Sequence, residues 1–382
     1  MISPRGAARI EAGHPWIFRS DVREDPSVPA GLVGMVDHRG KPLGTALYSP
    51  HSEIRLRWLA PEGTTVDAAW WRAQIGRAVQ RRDGITDTGY RVVHAEGDGL
   101  PSLVVDRYGA VLVAQILSAG LDAVKEDVIA ALVDACRPAG LLLRNDAPVR
   151  QRERLPRETV TAHGEVPERA PYTEGELTFS AAPWTGQKTG AFLDQRENHL
   201  LAGQLARGRC LDVFSYHGGF ALQLLAGGAD QVTALDSSGP ALDALREAAA
   251  ANDLSSGLQA EEADAFGWLR NAAARREQFD VITLDPPAFA KDRRSAGQAI
   301  NGYRELNLQA MKLLAPGGHL LTFSCSYHVH RGDFFAMLAE AAQGSGRRLQ
   351  LVEMRGAAGD HPELLTVPET GYLKGAVLRV SA

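Results

Sequence analysis

The sequence predicts an α/β protein whose C-terminal half contains an open, largely parallel sheet. From about residue 171 onward, short and strongly apolar strands alternate with helical segments. This alternation is typical of a parallel sheet covered by helices on both faces. Residues 1–70 contain short strands separated by turn residues, and residues 71–170 contain strands around one helical segment. We therefore expect a small β-barrel, a central α+β domain with a linker, and a larger α/β domain over 171–382.

The composition excludes several classes of protein. Hydrophobic residues make up 45% and charged residues 23% of the 382 residues, as in ordinary globular proteins. No apolar run reaches the length of a membrane span, and residues 1–6 lack the pattern of a secretory signal. The three cysteines (Cys136, Cys210 and Cys325) lie far apart, which disfavours a disulfide framework or a paired-cysteine zinc site. We expect a cytoplasmic protein without a metal.

The net charge of −5 gives no bulk attraction to nucleic acid. RNA binding would therefore depend on local basic patches. One basic run, Arg150, Arg152, Arg154 and Arg157, is a candidate for such a patch.

The elements of the first 172 residues follow from turn residues and apolar spacing. Residues 53–59 alternate apolar and polar side chains, which is the period of a half-buried strand. Apolar residues at three- and four-residue spacing predict one helix over 121–137. Residues 150–172 are polar and rich in proline, so we interpret them as a linker or exposed loop. The other predicted elements are strands over 31–37, 42–48, 91–95, 102–107, 110–117 and 141–143 and a helix over 70–80.

In the C-terminal half, apolar strands and helices are expected in strict alternation. Two late strands follow the last helix and close the chain. The strands are predicted over 209–214, 231–236, 280–285, 319–323, 348–354 and 373–380, and the helices over 220–226, 240–252, 303–314 and 333–342.

Three of these strands end in or beside an acidic residue: Asp212, Asp236 and Asp285. Ligands of open parallel sheets bind outside the carboxyl ends of the strands. The first strand leads into a glycine-containing turn over 212–220, which lacks the dinucleotide glycine spacing. Asp236 stands where a carboxylate can hold a ribose diol. The alternative for each acid is a helix N-cap.

The segment Asp285-Pro286-Pro287-Ala288-Phe289 predicts a rigid turn that presents acceptors. Two prolines remove two backbone donors and stiffen the chain. A carboxylate and prolyl carbonyls suit the exocyclic amine and ring N–H of a flipped base. The alternative is a plain turn at the end of a strand.

Cys325 follows the next apolar strand and lies between two serines. If that strand neighbours the strand of Asp285, both side chains lie at the same edge of the sheet. This placement favours the role of a catalytic nucleophile for Cys325. The alternative is a small buried apolar residue, which is how we interpret Cys136 and Cys210.

Together, residues 212–220, 285–289 and 324–326 resemble the class I S-adenosylmethionine-dependent RNA methyltransferases, and more closely the RlmI-type 23S rRNA (cytosine-5-)-methyltransferases. The similarity covers nearly the whole chain. It implies an N-terminal PUA-like RNA-binding domain over 1–70, a central domain over 71–170 and a Rossmann-like methyltransferase domain over 171–382. The remaining segments that carry the resemblance are 14–18, 96–106, 189–196, 360–362 and 372–375.

The resemblance implies S-adenosyl-L-methionine as cofactor. Gln195 and Arg196 would meet either its amino-acid end or the RNA, and a structural ion pair is the alternative for Arg196. Pro286 and Phe289 would contact the substrate base. The other cofactor-binding residues implied are Phe214, Ser215, Tyr216, Gly218, Gly219, Asp236, Asp264 and Ala265.

The implied reaction is covalent catalysis by Cys325 with assistance from Asp285. A thiolate that attacks carbon 6 of cytosine makes carbon 5 nucleophilic. Ala288 and Phe289 stand where classical cytosine-5 RNA enzymes carry a second cysteine. His328 and His330 are candidates for the base that removes the carbon 5 proton, although a surface or supporting role is the alternative for each.

Three other functions compete with this one. An Asp-Pro-Pro-aromatic turn is also compatible with methylation of a purine nitrogen. A non-catalytic RNA-binding factor of ribosome assembly is the second alternative, and a nicotinamide dehydrogenase is a distant third. The expected partner is 23S rRNA or a large-subunit precursor, with no membrane. The oligomeric state is left open, a homodimer included.

Overall fold

The computed structural model describes residues 1–289, 294 and 296–381. The chain forms two compact units. The first unit contains Met1–Thr173, Ser180–Leu193 and Gly359–Thr370, and the second contains Glu174–Phe179, Asp194–Ala358 and Gly371–Ala382.

The first unit begins with a four-stranded antiparallel sheet and one helix, where the sequence predicted a small barrel. Ser3 caps the helix, because its hydroxyl accepts a hydrogen bond from the Gly6 backbone N–H at 3.1 Å. Ile2, Ile17, Ala46 and Leu56 belong to a small core on this sheet. The elements are α1 (Pro4–Glu11), β1 (Trp16–Phe18), β2 (Gly31–Val36), β3 (Pro42–Tyr48) and β4 (Ile54–Ala60), in the sheet order β1-β4-β3-β2.

The central part of the first unit is a five-stranded sheet packed on helices. The helix predicted over 121–137 is two helices, because the backbone at Val124 leaves the helical conformation (φ −120°, ψ 18°). Asp67 caps the preceding helix through the Trp70 N–H. The elements are α2 (Ala68–Gln80), β5 (Gly89–His94), β6 (Leu103–Tyr108), β7 (Val111–Ile116), α3 (Ala119–Asp122), α4 (Lys125–Cys136), β8 (Gly140–Asn145), α5 (Val149–Arg152) and β9 (Glu158–Gly164), with the strands in numerical order.

The prediction of a linker or loop over 150–172 was wrong. Residues 158–164 form β9, which pairs antiparallel with β8 at the edge of the sheet. Most of its side chains are exposed or half-buried, so its polar composition reflects an edge strand and not a loop. Arg150 is completely buried, and its guanidinium pairs with Asp122 at 3.1 Å. It is therefore no part of a surface patch. Two further strands, β10 (Ala170–Glu174) and β11 (Leu177–Ala181), form a separate two-stranded sheet.

A buried ion pair joins distant segments of the first unit. The Arg91 guanidinium donates two hydrogen bonds of 2.8 Å to the Asp106 carboxylate. Asp106 also accepts from the Thr189 hydroxyl at 2.5 Å, and the backbone N–H of Arg91 donates to Asp360 at 2.8 Å. Asp106 is 1% exposed and Arg91 is 8% exposed. The pair therefore connects three chain segments inside a low-dielectric interior.

We expect Asp106→Ala to lower the free energy of unfolding by about 3–5 kcal/mol, because it leaves the Arg91 charge buried without its carboxylate. Urea unfolding followed by circular dichroism measures the change. Asp243→Ala is the matched control, since Asp243 pairs with Arg246 at an exposed site and should contribute less than about 1 kcal/mol. Equal effects of the two substitutions would contradict this assignment.

The second unit is the predicted α/β layer structure. Five strands are parallel, the final strand of the chain joins them antiparallel, and the strand before it pairs antiparallel with the final strand at the edge of the sheet. Apolar side chains of the central strands and of three helices form its core. Among the described residues, no helix has the length and apolar character needed to cross a membrane. The elements are α6 (Arg196–Leu205), β12 (Arg209–Val213), α7 (Gly219–Ala226), β13 (Gln231–Asp236), α8 (Gly239–Ala251), β14 (Leu258–Glu262), α9 (Ala265–Ala274), β15 (Phe279–Leu284), α10 (Ala296–Lys312), β16 (Leu314–Ser324), α11 (Arg331–Ser345), β17 (Leu349–Arg355) and β18 (Lys374–Val380), in the sheet order β14-β13-β12-β15-β16-β18-β17.

Candidate active site

The sheet topology of the second unit brings the predicted strand-end residues to one edge. Strand β12 is the first strand of this sheet, and it lies between β13 and β15 in parallel pairing. The chain therefore switches direction beside β12, which is where open sheets bind ligands. Asp236 ends β13 on one side, whereas Asp285 and Cys325 follow β15 and β16 on the other side.

The turn after β12 adopts a conformation that is unusual for residues with side chains. Phe214 and Tyr216 have φ angles of +68° and +49°, and Gly218 has +89°. Such left-handed conformations cost free energy in residues other than glycine and cluster at functional sites. A Cβ atom at Gly218 would lie 2.1 Å from Leu245, and one at Gly219 would lie 2.3 Å from the His199 ring. Both positions therefore require glycine for close packing, and Gly218 requires it for the left-handed turn as well.

Asp236 is held by two backbone donors at the end of β13. The Tyr216 N–H donates to one carboxylate oxygen and the Ser238 N–H to the other, each at 2.9 Å. The N-cap of α8 is Ser238, so Asp236 is not a helix cap. A carboxylate oxygen accepts more than one hydrogen bond, so this half-buried group keeps acceptor capacity for a ligand.

Asp212 and Asp264 instead support helix N-termini. Asp212 is 1% exposed and accepts from the Ala221 N–H of α7 at 3.1 Å and from the Thr283 hydroxyl at 2.6 Å. Burial raises the pKa of Asp212 to about 6. Asp264 is exposed and caps α9 through the Gly267 N–H at 2.7 Å, next to the buried Ala265. The N-cap alternative therefore holds for Asp264, and a related supporting role holds for Asp212.

Helix α6 begins at the predicted residue Arg196 and its N-cap is the predicted residue Gln195, and both are almost fully buried. The side-chain oxygen of Gln195 accepts from Asn198 at 2.6 Å. Its buried Nε2 donor has no hydrogen-bond partner among the described residues. An unpaired buried donor is costly, so this amide is a candidate for contact with a ligand. The Arg196 guanidinium lies 3.6 Å from the Glu197 carboxylate, which is an ion pair of the kind that the structural alternative for Arg196 predicts.

His199 and Glu174 were not predicted from the sequence. The His199 Nδ1 atom lies 2.7 Å from a carboxylate oxygen of Glu174, and both side chains are buried. Burial by itself lowers the pKa of His199, but the carboxylates of Glu174, Asp285 and Asp212 outweigh it and raise the pKa. His199 lies one helical turn after Gln195, so the four-residue spacing was a signal for a shared helix face.

Cys325 lies beside the Asp285-Pro286-Pro287 turn, as the sequence predicted. Strands β15 and β16 pair in parallel, with Leu284 opposite Thr322. The two turns that follow are therefore neighbours. The sulfur of Cys325 lies 3.9 Å from the carbonyl oxygen of Pro286, and the side chain is half-buried. Cys210 is completely buried, whereas Cys136 is half-buried.

The turn that carries Cys325 is held by two residues that were not predicted from the sequence, Tyr303 and Lys374. The buried hydroxyl of Tyr303 lies 2.8 Å from the Ser326 hydroxyl and donates to the Pro287 carbonyl at 3.4 Å. Burial raises the pKa of Tyr303. The Lys374 ammonium donates to the Ser326 carbonyl at 2.7 Å and to the Tyr372 carbonyl at 2.8 Å. A lysine within a buried strand was the available signal for Lys374.

The other residues predicted near the base differ in their surroundings. Pro286 is buried, whereas the half-buried Phe289 ring packs 4.8 Å from the Tyr303 ring and 6.1 Å from the Phe266 ring. His330 is exposed and is the N-cap of α11, so its structural alternative holds. His328 is half-buried, with its ring 5.1 Å from Tyr327. The described residues contain no group of three or more histidine, cysteine or acidic side chains placed to hold a metal ion.

Comparison with known proteins identifies the family. Residues 149–379 match the S-adenosylmethionine-dependent methyltransferase family, and residues 1–61 match a PUA-like domain. The chain is 38% identical over 377 residues to ribosomal RNA large subunit methyltransferase I of Pseudoalteromonas atlantica, which covers 96% of this chain and 95% of that protein. The protein belongs to the ribosomal RNA large subunit methyltransferase I family. The relative of the same name from Shewanella amazonensis is 37% identical, with 99% of this chain and 98% of the relative covered.

Solved structures support the fold of this family member. A putative methyltransferase complexed with SAH matches all of this chain and 99% of its own, with a TM-score of 0.85 and 19% identity. A putative SAM-dependent methyltransferase from Streptococcus mutans matches with a TM-score of 0.81. The predicted Rossmann-like methyltransferase fold, the PUA-like domain and the S-adenosylmethionine cofactor are thus confirmed.

Proposed function

We propose that this protein forms 5-methylcytosine in 23S rRNA, or in a large-subunit precursor, through a covalent bond between Cys325 and carbon 6 of the base. The observation that carries the proposal is the position of the half-buried Cys325 thiol at the end of β16, 3.9 Å from Pro286 O. The rRNA substrate rests on relatives that are named ribosomal RNA large subunit methyltransferase I. The PUA-like segment at the N-terminus supports RNA binding. We retain 1–70, 71–170 and 171–382 as the proposed domains.

The residues beside β12 fit S-adenosylmethionine. The Asp236 carboxylate is anchored by two N–H groups, which leaves its remaining lone pairs for the ribose hydroxyls. The Gln195 amide supplies a buried donor for the amino-acid end. When bound, this cofactor supplies an electrophilic methyl group. Further proposed contacts are Phe214, Ser215, Tyr216, Gly218, Gly219, Arg196, Asp264 and Ala265.

The proposed chemistry begins at the Cys325 sulfur. Its thiolate forms a bond to carbon 6, and the electron pair of the 5,6 double bond becomes available at carbon 5. Ring nitrogen 3 takes up a proton from solvent as the electron density moves toward it, and Asp285 accepts hydrogen bonds from this N–H and from the amino group, which favours the protonated ring. Pro286 and Pro287 keep the turn rigid and contribute carbonyl acceptors. Phe289 contributes the aromatic wall of this turn.

After methyl transfer, a base removes the proton of carbon 5 and the Cys325 sulfur leaves carbon 6. Ala288 and Phe289 occupy the positions where a second cysteine would assist this step, so the chain uses another base. His328 is the preferred candidate of the two histidines, because it is half-buried, whereas His330 is exposed and is the N-cap of α11.

We expect Asp236→Asn to weaken S-adenosylmethionine binding about 30-fold. The N–H groups of the asparagine amide would face one of the two backbone N–H donors that hold Asp236, and the amide lacks the negative charge of the carboxylate acceptor. Calorimetric titration measures the affinity. Asp243→Asn, an exposed change on α8, is the control and should leave the affinity within twofold. Unchanged binding by Asp236→Asn would remove this residue from the cofactor site.

Nucleoside mass spectrometry of 23S rRNA tests the proposed product. rRNA that lacks the modification is incubated with the protein and S-adenosylmethionine, then digested to nucleosides. The proposal predicts one additional 5-methylcytidine per rRNA molecule. A methylated purine would instead support the alternative activity on a purine nitrogen, and bisulfite sequencing then locates any modified cytosine.

A further inference from the structure

The buried ammonium of Lys374 lies against the turn that carries Cys325. Lys374 begins β18 and pairs with Ser324 of β16 in the antiparallel register. Its side chain is 3% exposed, and its Nζ donates to the carbonyl of Ser326, the residue that follows Cys325, at 2.7 Å. Lysine is rarely this buried unless its charge has a partner. Two backbone carbonyls satisfy its hydrogen bonds but do not neutralise its charge.

We propose that Lys374 is a positioning residue for Cys325. The positive charge of Lys374 favours the Cys325 thiolate, and its hydrogen bond to Ser326 fixes the Ser324-Cys325-Ser326 turn. The inference rests on the proposed function, in which the thiolate is the nucleophile. A cation near a cysteine lowers the pKa of the thiol, because it stabilises the negative form that remains when the proton leaves to solvent.

The groups around the ammonium agree with this role. Burial lowers the pKa of Lys374 to about 8, and the Cys325 thiolate opposes that change. Arg331 at the start of α11 is a second charged neighbour and lowers the pKa of Lys374 as well. Tyr303 of α10 contacts the same turn through Ser326, and Asp285 lies in the adjacent turn.

Arg355 of β17 lies opposite Gly375, the residue that follows Lys374, but its guanidinium donates hydrogen bonds to Asn198 and Glu353. Lys374 therefore lies against the residue that follows Cys325, where a thiolate on Cys325 would stabilise its ammonium.

Lys374 also forms one end of a hydrogen-bonded chain. The Lys374 ammonium donates a hydrogen bond to the Ser326 carbonyl, and the Ser326 hydroxyl is hydrogen-bonded to the Tyr303 hydroxyl. The Tyr303 hydroxyl in turn donates to the Pro287 carbonyl. This chain connects the Cys325 turn to the Asp285-Pro286-Pro287 turn. Tyr303→Phe removes both hydrogen bonds of the Tyr303 hydroxyl without removing a charge, which makes it a matched control for the electrostatic effect.

The test is the pH dependence of Cys325 alkylation by iodoacetamide, measured on the full chain by mass spectrometry of the Cys325 peptide. We expect Lys374→Met and Lys374→Gln to raise the pH of half-maximal alkylation by about one unit. Lys374→Arg, which keeps the charge, and Tyr303→Phe, which keeps Lys374, should titrate close to the wild type. Alkylation of Cys136 in the same samples is the internal control. At pH 7 the kcat for methyl transfer should fall about tenfold in Lys374→Met, with an unchanged KM for RNA.

Two neutral variants are used so that a folding defect in one of them does not decide the result. Glutamine retains a donor for the Ser326 carbonyl, and methionine matches the length of lysine. A wild-type titration of Cys325 in either folded neutral variant would overturn the proposal. The assay contains no RNA, so its outcome is independent of the product that the enzyme forms. Failure of the proposed function would appear separately, as full methyl transfer by Cys325→Ala.

Discussion

Cys325→Ala is expected to bind S-adenosylmethionine normally and to lose methyl transfer by at least about a thousandfold. The reason is chemical: carbon 5 of cytosine is a poor nucleophile until a bond at carbon 6 breaks the aromatic system, and removal of the attacking group removes this route. The thiol is half-buried at the end of β16, so its loss leaves the core of the sheet intact.

Labelled S-adenosylmethionine and unmodified 23S rRNA measure this loss. Cys325→Ser separates the sulfur from the side-chain volume and should be almost as inactive, because a serine hydroxyl is far less ionised than a thiol at neutral pH. Cys136→Ala is the matched control, since Cys136 is another half-buried cysteine and lies in the first unit. Full activity of Cys325→Ala would remove the cytosine-5 assignment.

Asp285→Asn is expected to reduce kcat about 100- to 1000-fold while cofactor affinity stays within about twofold. Asparagine keeps the shape of the turn but loses the negative charge, and loss of a group that stabilises charge in the transition state typically costs this much. Asp285 is half-buried beside Pro286, so water screens its charge only in part.

Asp280→Asn provides the control at the opposite end of the same strand. Asp280 accepts a hydrogen bond from the Arg209 N–H at 3.1 Å, away from the Asp285 turn. Its replacement should leave kcat within twofold. If Asp285→Asn instead weakened cofactor binding and left kcat unchanged, Asp285 would belong to the cofactor site and not to the base site.

The sequence predicted the parts of the fold in which local pattern and burial agree. The central strands β12, β13, β15 and β16 are short apolar runs, so their position in a covered sheet follows from composition. Strands β9 and β14 were missed because both are exposed edge strands with mixed polar residues, which lack the apolar signal. The break at Val124 was missed because apolar spacing continues through it.

The site residues also divide into those that the local sequence pattern predicts and those that depend on packing. Asp236, Asp285 and Cys325 could be predicted because parallel topology brings strand ends to one edge, whichever side chains fill the core. Glu174 and His199 come from segments before the sheet, and Tyr303 and Lys374 come from a helix and the last strand. Only three-dimensional packing brings them to the turns. Asp212 looked like a ligand-binding acid, but its burial and its bond to Ala221 give it a structural role.

The central claim is the bond between Cys325 and carbon 6 of a cytosine, and an RNA that carries 5-fluorocytosine at the target position tests it most directly. Fluorine cannot leave as a proton, so the final elimination is blocked and the covalent complex persists. With S-adenosylmethionine present, we predict a protein–RNA complex that survives denaturation, with the RNA attached to Cys325 by peptide mass spectrometry and with no complex in Cys325→Ala. Absence of this complex in an enzyme that methylates the unfluorinated RNA would contradict the covalent mechanism.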